Sequence, residues 1–411
     1  MRFVQSSNFS NNTSDTIFKM KNKRTTDYII IGGGIIGCST AYNLANQGAK
    51  SVIVLEKGEI CSGATSKSCA ITRSHYSIES NVHHAVESVK IFENFDEIIG
   101  GDPGFTRTGQ IVLGPEKHRP LMESVFSTQN KFGSETQTLT PSEAGKLHPL
   151  LQFQDVDVIG FELRSGYCDP YLTTVAYAQR AKDLGVKIYT ATPVNGIRIK
   201  GSKKIVETPE IDFETSEIIL AAGPWTNALG KMIEVKFPYE ISKHKVLTLK
   251  IDQPYQKDWP IVKDLLTPEK IYFRPDSGGV VLVGTGDHGD PLKDVETMNN
   301  DVEADHIERI GKRMANRMPA FADAKLVRSW TGPYDIPPDW NPIIGPVPGI
   351  TGVHVAVGFS GHGFKLAPTV GESLAQQVLG NKPRVPIDMY DMTRFREGKT
   401  LNGAYGIGTF A

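Results

Sequence analysis

The chain of 411 residues lacks several features that would define its class directly. No apolar run approaches the roughly 18 residues that a membrane-spanning helix needs, so we expect no membrane span. The formal net charge is −1, which gives no electrostatic reason to expect nucleic acid as a partner. The four cysteines show neither CxxC nor Cys/His spacing. We therefore expect no metal site, and reduced thiols indicate a cytoplasmic protein.

The beginning of the chain also lacks an apolar core. Residues 1–24 are rich in Asn, Ser and Thr, and such a stretch is not a secretory signal. We expect residues 1–25 to form a disordered extension. The chain as a whole has the composition of an ordinary globular protein, with 39% hydrophobic and 22% charged residues. Its length predicts two domains.

The strongest local signal is a glycine motif after the first apolar strand. Residues 28–31 are apolar, and Gly32, Gly34 and Gly37 form a GxGxxG turn directly after them. Apolar residues at helical spacing continue from Ile35 to Gln47. In such a motif the first glycine makes a tight turn, the second lets the backbone approach a pyrophosphate, and the third allows close packing of helix and strand. The positive end of the helix dipole favours a phosphate there.

An acidic residue follows this motif at a suitable distance. Residues 51–55 form a second apolar strand that ends on Glu56, 19 residues after Gly37. A carboxylate at that point can accept hydrogen bonds from an adenosine ribose. Strand, turn, helix and acid in this order predict a dinucleotide-binding unit.

The remainder of the chain combines two kinds of pattern. From about residue 235 to 330, alternation of period two predicts an antiparallel sheet. Residues 353–358 are again a buried strand, and a helix is predicted over 363–379. Asp169 and Pro170 are typical of a helix start, as N-cap and first helical residue.

Four segments together resemble a known family. GGGIIG, GATS (63–66), LAAGPWT (220–226) and GFSGHGFKLAP (358–368) resemble the flavin-dependent amine oxidoreductases of the D-amino-acid oxidase type. The similarity spans about residues 27–390. It is nearest to the sarcosine oxidases, both monomeric and heterotetrameric β subunit, and to the L-proline dehydrogenase β subunit. The resemblance implies an α/β fold in which a Rossmann-like FAD-binding domain carries an inserted antiparallel-sheet α+β substrate domain.

The resemblance also implies where the domains divide and where FAD binds. We expect the FAD-binding domain over 26–104, 165–234 and 336–395, and the substrate domain over 105–164 and 235–335. The residues expected to contact FAD are Gly32, Gly34, Ile35, Ile36, Gly37, Glu56, Lys57, Thr65, Ser66, Val194, Ala222, Gly223, Trp225, Gly361, Gly363, Phe364 and Lys365.

The last strand-to-helix corner supports FAD rather than another dinucleotide. The chain passes through Gly361 and Gly363 into the helix, so backbone N–H groups at the helix start face whatever lies beyond the strand ends. A reduced flavin is negative on its pyrimidine edge, and a helix N-terminus there stabilises it by about 0.3–2 kcal/mol. Glycine-rich turns of this kind are common without a ligand, so the prediction depends on the first turn as well.

Four side chains are candidates for the reacting end of the site. Lys365 lies two residues after Gly363, where a cation opposes the helix dipole, and such conflicts are typical of functional sites. The resemblance implies that Lys365 binds the substrate carboxylate and that Arg73 pairs with it or lies over the flavin. Tyr334 is expected as an aromatic over the substrate. His362 is expected beside the flavin or as a structural cap.

Two departures from the sarcosine oxidase pattern concern the cofactor and the electron acceptor. Monomeric sarcosine oxidases attach flavin through a Cys just before the segment that begins here at Trp330, and this chain has none there. We therefore expect FAD to be bound non-covalently. Those oxidases also have a Lys that promotes reaction with O₂ in the strand matching residues 279–284, which here contains no Lys. The acceptor is thus O₂ or a second, unidentified acceptor.

The expected reaction is oxidation of a small amino acid or secondary amine, such as sarcosine, another N-methyl amino acid or proline. Hydride passes from the neutral amine to the flavin, and the resulting imine hydrolyses. Two alternatives remain open. A 2-hydroxy acid or glycerol phosphate as substrate would need a general base, for which His75 and His362 are candidates. In the second alternative, the chain is the flavoprotein subunit of a multi-subunit dehydrogenase and works with a partner subunit.

Overall fold

A computed structural model describes residues 22–405 of the chain. The helices are α1 (Ile35–Asn46), α2 (Glu79–Glu93), α3 (Phe95–Ile98), α4 (Arg119–Lys131), α5 (Pro141–Leu147), α6 (Pro170–Asp183), α7 (Thr226–Met232), α8 (Ala304–Arg317) and α9 (Gly363–Val378).

The strands are numbered in the same way. They are β1 (Asn22–Thr25), β2 (Tyr28–Ile31), β3 (Val52–Leu55), β4 (Ile71–Thr72), β5 (Thr106–Arg107), β6 (Gln110–Gly114), β7 (Thr136–Thr138), β8 (Val158–Glu162), β9 (Gly166–Tyr167), β10 (Lys187–Tyr189), β11 (Gly196–Lys200), β12 (Lys203–Glu207), β13 (Ile211–Thr215), β14 (Glu217–Leu220), β15 (Glu240–Lys250), β16 (Ile261–Asp264), β17 (Tyr272–Asp276), β18 (Val280–Gly284), β19 (Asp290–Leu292), β20 (Lys325–Ile336), β21 (Ile343–Pro346) and β22 (Val353–Val357).

The first large sheet has six strands in the order β10-β3-β2-β14-β22-β21. All of its neighbouring strands are parallel except β21, which pairs antiparallel with β22. β2, β3 and β14 are almost wholly buried, as expected for parallel strands covered on both faces. Helices α1 and α9 pack together on one face. The carboxyl ends of β2 and β22 therefore lie next to the helix starts at Ile35 and Gly363.

The second large sheet has nine strands, in the order β19-β15-β18-β17-β16-β6-β8-β7 with β20 also paired to β15. β6 and β16 are parallel neighbours, and they bring two distant stretches of the chain into one sheet. The other pairs are antiparallel. The family comparisons below confirm the predicted fold class. The domain limits stay a prediction.

The predicted extension is wrong at its carboxyl end. Residues 1–21 lie outside the described residues, but residues 22–25 form β1, which pairs in parallel with β13 from Asn22↔Ile211 to Thr25↔Glu214. All four β1 side chains are exposed. The strand is held by backbone pairing at a sheet edge, so no apolar pattern in the sequence could indicate it.

The helix start predicted at Asp169 is present. Its Oδ1 accepts hydrogen bonds from the backbone N–H groups of Tyr171 at 2.8 Å and Leu172 at 2.9 Å, and Pro170 is the first residue of α6. A capping carboxylate of this kind satisfies donors that the helix leaves open. No helix within residues 22–405 is long and apolar enough to cross a membrane.

Candidate active site

The turn between β2 and α1 depends on two glycines for different reasons. Gly32 has a φ of +120°, and a Cβ at that position would overlap the carbonyl oxygen of Ala221. Gly37 lies inside α1, where a Cβ would overlap the carbonyl oxygen of Gly32. The helix therefore begins directly against the strand end. Gly34 precedes α1 without a side chain of its own to cap it, and the first N–H of the helix, Ile35 N, donates instead to Thr65 Oγ1 at 3.2 Å.

Glu56 holds the next loop in place at the end of β3. Its Oε2 accepts a hydrogen bond from Gly33 N at 2.6 Å, and its Oε1 accepts one from Gly58 N at 2.7 Å. Each carboxylate oxygen has two lone pairs, so both bonds leave acceptor capacity for a ribose hydroxyl. This arrangement is compatible with the role predicted for Glu56.

Lys57 and Trp225 form one polar group beside this loop. The Lys57 ammonium lies 4.5 Å from the Trp225 ring centroid and 2.6 Å from a carboxylate oxygen of Glu296. Trp225 Nε1 donates to the same carboxylate at 2.7 Å. A rigid aromatic surface next to the first turn is a suitable contact for the nucleotide half of a dinucleotide.

The second turn, between β22 and α9, is fixed by Asp335. Its Oδ2 accepts from Gly358 N at 2.7 Å, and its backbone oxygen accepts from Ser360 N at 3.0 Å. Burial raises the pKa of Asp335 to about 6. Ser360 is held at a φ of +49°, which is rare for a residue other than glycine. Its Oγ is buried without a hydrogen-bond partner among residues 22–405, which is typical of a turn shaped around a ligand.

One cavity of about 640 Å³ joins the two turns. Its walls come from the first turn, the 62–73 segment, the carboxyl end of β14, the second turn and the face of the nine-stranded sheet. Fifteen of the seventeen residues predicted to contact FAD line this cavity: Gly32, Gly34, Ile35, Ile36, Glu56, Lys57, Thr65, Val194, Ala222, Gly223, Trp225, Gly361, Gly363, Phe364 and Lys365.

Two predicted cofactor contacts lie off the cavity wall. Ser66 is exposed, and its hydroxyl donates to the carbonyl oxygen of Gly63 at 3.0 Å, because the short helical turn after Gly63 points that side chain outward. Gly37 is packed against Gly32 and acts by allowing that approach. Neither residue lines the cavity, and direct contact of either one with FAD stays a prediction.

Lys365 is the central cation of the site. It lies in the first turn of α9, is only 8% exposed and lines the cavity. Within the part of the chain that the structure describes, its amine has no hydrogen-bond partner. Burial, followed by the nearby charge of Arg73, holds the Lys365 pKa well below its ordinary value. A buried cation without a partner is costly, and an anionic ligand removes that cost.

Arg73 lines the same cavity, and its guanidinium also contacts two nearby residues of its own segment. Its guanidinium lies 4.5 Å from the ring centroid of Tyr76 and donates to the carbonyl oxygen of His75. Lys365 lines the same cavity, and the charge of Arg73 contributes to the lowered pKa of Lys365. A guanidinium offers a bidentate fork to a carboxylate, whereas an ammonium acts as a point charge.

The two candidate histidines have different surroundings. His362 lines the cavity, with its ring centroid 5.4 Å from that of Tyr76. His75 lies outside the cavity wall, in a buried group where its Nδ1 is 3.3 Å from Glu162 and its Nε2 is 2.9 Å from the Tyr405 hydroxyl. Burial lowers the pKa of His75. The geometry gives His75 a structural role, so it does not support His75 as a general base.

Tyr334 lines the cavity, and its position over the substrate stays a prediction. Four side chains on strands of the nine-stranded sheet are among the polar lining residues that the sequence did not indicate. They are Gln110 on β6, Lys263 on β16, Tyr272 on β17 and His244 on β15. These strands are distant in sequence, and the shared face exists only because the nine-stranded sheet pairs them. The one available signal was a lysine directly after the apolar residues Ile261 and Val262, in a strand that is buried over its whole length.

A cavity that joins a dinucleotide turn to a buried, unpaired lysine is suited to a dinucleotide-dependent enzyme with an anionic substrate. The chain belongs to the FAD dependent oxidoreductase family, which it matches over residues 27–377. The predicted family of FAD-dependent oxidoreductases and its cofactor, FAD, are thereby confirmed. The glycines at the first turn and the Ser360 hydroxyl, which has no hydrogen-bond partner within residues 22–405, fit that cofactor.

Individual relatives agree with the family. Human mitochondrial dimethylglycine dehydrogenase is 28% identical over 93% of this chain and 46% of its own length. Human mitochondrial sarcosine dehydrogenase is 25% identical over 92% of this chain and 42% of its own length. The chain thus spans less than half of these curated relatives. The crystal structure of L-proline dehydrogenase from P. horikoshii is 29% identical, covers 92% of this chain and 100% of its own, and superimposes with a TM-score of 0.84.

Proposed function

We propose that this protein oxidises a small amino acid or secondary amine and binds the substrate through its carboxylate. The observation that carries this proposal is Lys365, a buried lysine on the cavity wall whose amine has no hydrogen-bond partner within residues 22–405. Arg73 lines the same cavity. Together they offer a carboxylate one point charge and one bidentate fork.

The charges on the cavity wall also favour an anion at this position. Lys365 has its pKa lowered first by burial and then by Arg73 and Lys263, which are both cations. A carboxylate between Lys365 and Arg73 would stabilise the protonated amine and compensate for its burial. Because Lys365 is only 8% exposed, this attraction is stronger than it would be on the surface.

Bound FAD supplies a two-electron acceptor for the substrate C–H bond. The residues of the chain itself would bind and orient the substrate. Lys365 and Arg73 would fix the carboxylate, so the position of the carbon next to the nitrogen is fixed relative to the first turn of α9. Tyr334 would cover the substrate on the side of the nine-stranded sheet. An amine that reacts in its neutral form needs no strong base, and neither His75 nor His362 is required for the step.

The substrate range proposed here is supported by the named relatives. Dimethylglycine dehydrogenase, sarcosine dehydrogenase and L-proline dehydrogenase are each named for a small amino acid with a substituted nitrogen. We therefore place N-methyl amino acids and proline first among the substrates. The absence of lysine from β18 supports an electron acceptor other than O₂.

A reduction panel tests this proposal. The FAD-loaded protein is mixed without oxygen with N-methylglycine, glycine, proline, D-alanine, 2-hydroxyglutarate and glycerol phosphate, and flavin absorbance near 450 nm is followed. We expect N-methylglycine or proline to bleach the flavin most rapidly, and slow recovery when air is admitted. If only 2-hydroxyglutarate or glycerol phosphate bleached the flavin, the result would contradict amine oxidation and would indicate a substrate that is oxidised at a hydroxyl group.

A further inference from the structure

Two of the side chains on the nine-stranded sheet form a group apart from Lys365. In the parallel pair of β6 and β16, Gln110 is opposite Ile261, and Val112 is opposite Lys263. Opposite residues of neighbouring strands share a face, and so do alternate residues of one strand. Gln110 and Lys263 therefore project from the same face, and both line the cavity. Lys365 reaches the cavity from α9, on the other large sheet.

The Gln110 amide is a buried donor without an acceptor among the described residues. The residue is 1% exposed, and its Nε2 has no hydrogen-bond partner within residues 22–405. Buried side-chain donors are nearly always satisfied by protein, water or ligand. An acceptor inside the cavity would meet this requirement.

Lys263 places a second buried cation beside that donor. Its side chain is 7% exposed, and its Nζ donates to the carbonyl oxygen of Lys270 at 2.7 Å and lies 5.3 Å from the Tyr272 ring centroid. Burial and the cations Arg73 and Lys270 lower the Lys263 pKa to about 7. A nearby anion would favour its charged form.

Two acidic residues lie near Lys263. Asp264 points to the other face of the strand, where its Oδ2 pairs with Arg317 at 2.8 Å. Asp287 lines the cavity and accepts a hydrogen bond from Thr285 at 2.6 Å. On the cavity wall Lys263 therefore stands with Gln110, in addition to Lys365 and Arg73, the two cations assigned to the first carboxylate.

We propose that the substrate carries a second carboxylate, which Lys263 and Gln110 bind on the sheet wall while Lys365 and Arg73 bind the first. This inference rests on the proposed function, because it assumes the first carboxylate at Lys365. The substrate class is then an amino acid with an N-carboxyalkyl group or an acidic side chain. The ammonium and the amide NH₂ offer only donors, and a carboxylate offers only acceptors.

Two analogues that lack an oxidisable nitrogen test the second subsite. Methylthioacetate has the shape of N-methylglycine, and thiodiacetate adds one carboxylate to it. Their binding to the FAD-loaded protein is measured from the change in the flavin spectrum. We expect thiodiacetate to bind at least about tenfold more tightly than methylthioacetate. Equal binding of the two analogues by the wild-type protein would overturn the inference.

Substitutions test whether Lys263 and Gln110 cause the expected preference for thiodiacetate over methylthioacetate. Lys263→Met and Gln110→Leu are each expected to weaken thiodiacetate binding about tenfold while changing methylthioacetate binding by less than about twofold. Lys263→Arg is expected to retain part of the preference. Lys312→Met is the matched control, since it removes an exposed lysine that does not line the cavity. Equal losses for both analogues in Lys263→Met would contradict a second-carboxylate role.

Reduction by the matching amines separates this inference from the proposed function. N-methylglycine and iminodiacetate are compared in the anaerobic assay. If N-methylglycine bleaches the flavin but thiodiacetate shows no preference, the second subsite is refuted and the amine oxidation stands. If no amine bleaches the flavin while the Lys263-dependent preference is present, the amine oxidation is refuted and the second anion site stands.

Discussion

The imidazole of His244 is stacked on the phenol ring of Tyr334, with centroids 3.7 Å apart and planes inclined by 18°. His244 Nε2 is also hydrogen-bonded to Ser242 Oγ at 2.8 Å. Burial lowers the pKa of His244 to about 4, so the imidazole is neutral at physiological pH. Tyr334 also contacts Gly361 of the second turn. The aromatic ring is thus fixed by the nine-stranded sheet and by the corner that precedes α9.

Gly361→Ala is expected to displace Tyr334, because a Cβ there would overlap the phenol ring. Displacing a side chain near a reacting centre commonly lowers the reaction rate by a factor of about ten to a hundred. We therefore expect the rate of anaerobic flavin reduction to fall by about that factor. Gly380→Ala is the matched control. Its φ of +77° is close to the +79° of Gly361, and a Cβ would meet nothing within 4 Å. Equal effects in the two variants would indicate backbone strain rather than the contact with Tyr334.

Gly37→Ala is expected to abolish tight FAD binding. Its Cβ would overlap the carbonyl oxygen of Gly32, so α1 would move away from the strand end and its N–H groups from the pyrophosphate. The ratio of flavin to protein absorbance in the purified sample measures the effect. Gly311→Ala, in α8 with open space around its Cβ position, should bind FAD like the wild type. A fully loaded Gly37→Ala protein would show that this close approach is not needed.

Lys263 should make the stability of the FAD-free protein depend on pH. Its pKa falls from 10.5 to about 7 on folding, through burial and the cations Arg73 and Lys270, against the opposing carboxylates Asp264 and Asp287. Between these two values the unfolded state holds a proton that the folded state lacks, so this contribution to the free energy of unfolding rises with pH. The shift corresponds to at most about 5 kcal/mol.

Urea unfolding at pH 7 and pH 9.5 measures this contribution. The wild type should gain more stability over that interval than Lys263→Met, in which the titrating group is absent. Lys312→Met removes an exposed lysine and controls for the loss of one positive charge. Equal pH slopes for the wild type and Lys263→Met would show that Lys263 titrates alike in both states.

The sequence was most informative where function depends on local structure. The order of strand, glycine turn, helix and acid around Gly32 and Glu56 predicts a dinucleotide site, because each element is encoded within a few residues. Asp169 predicts its helix start for the same reason. Lys365 could be proposed because a lysine in the first turn of a helix conflicts with the helix dipole.

The sheet wall of the cavity could not be predicted in this way. Gln110, Lys263 and His244 lie on strands far apart in sequence, and their common face follows from the register of the nine-stranded sheet. Register is set by long-range pairing that no local pattern reports. The four-residue strand at Asn22 was missed for a similar reason, since all its side chains are exposed.

The most direct test of this account is the concentration of N-methylglycine or proline that half-saturates anaerobic flavin reduction in Lys365→Met. Losing one partner of a buried charge pair commonly costs 2 kcal/mol or more, so we expect this concentration to rise at least about tenfold. The flavin spectrum should stay as in the wild type. Lys382→Met, at an exposed position after α9, should match the wild type throughout. An unchanged half-saturating concentration in Lys365→Met would contradict carboxylate binding by Lys365, on which the proposed function depends.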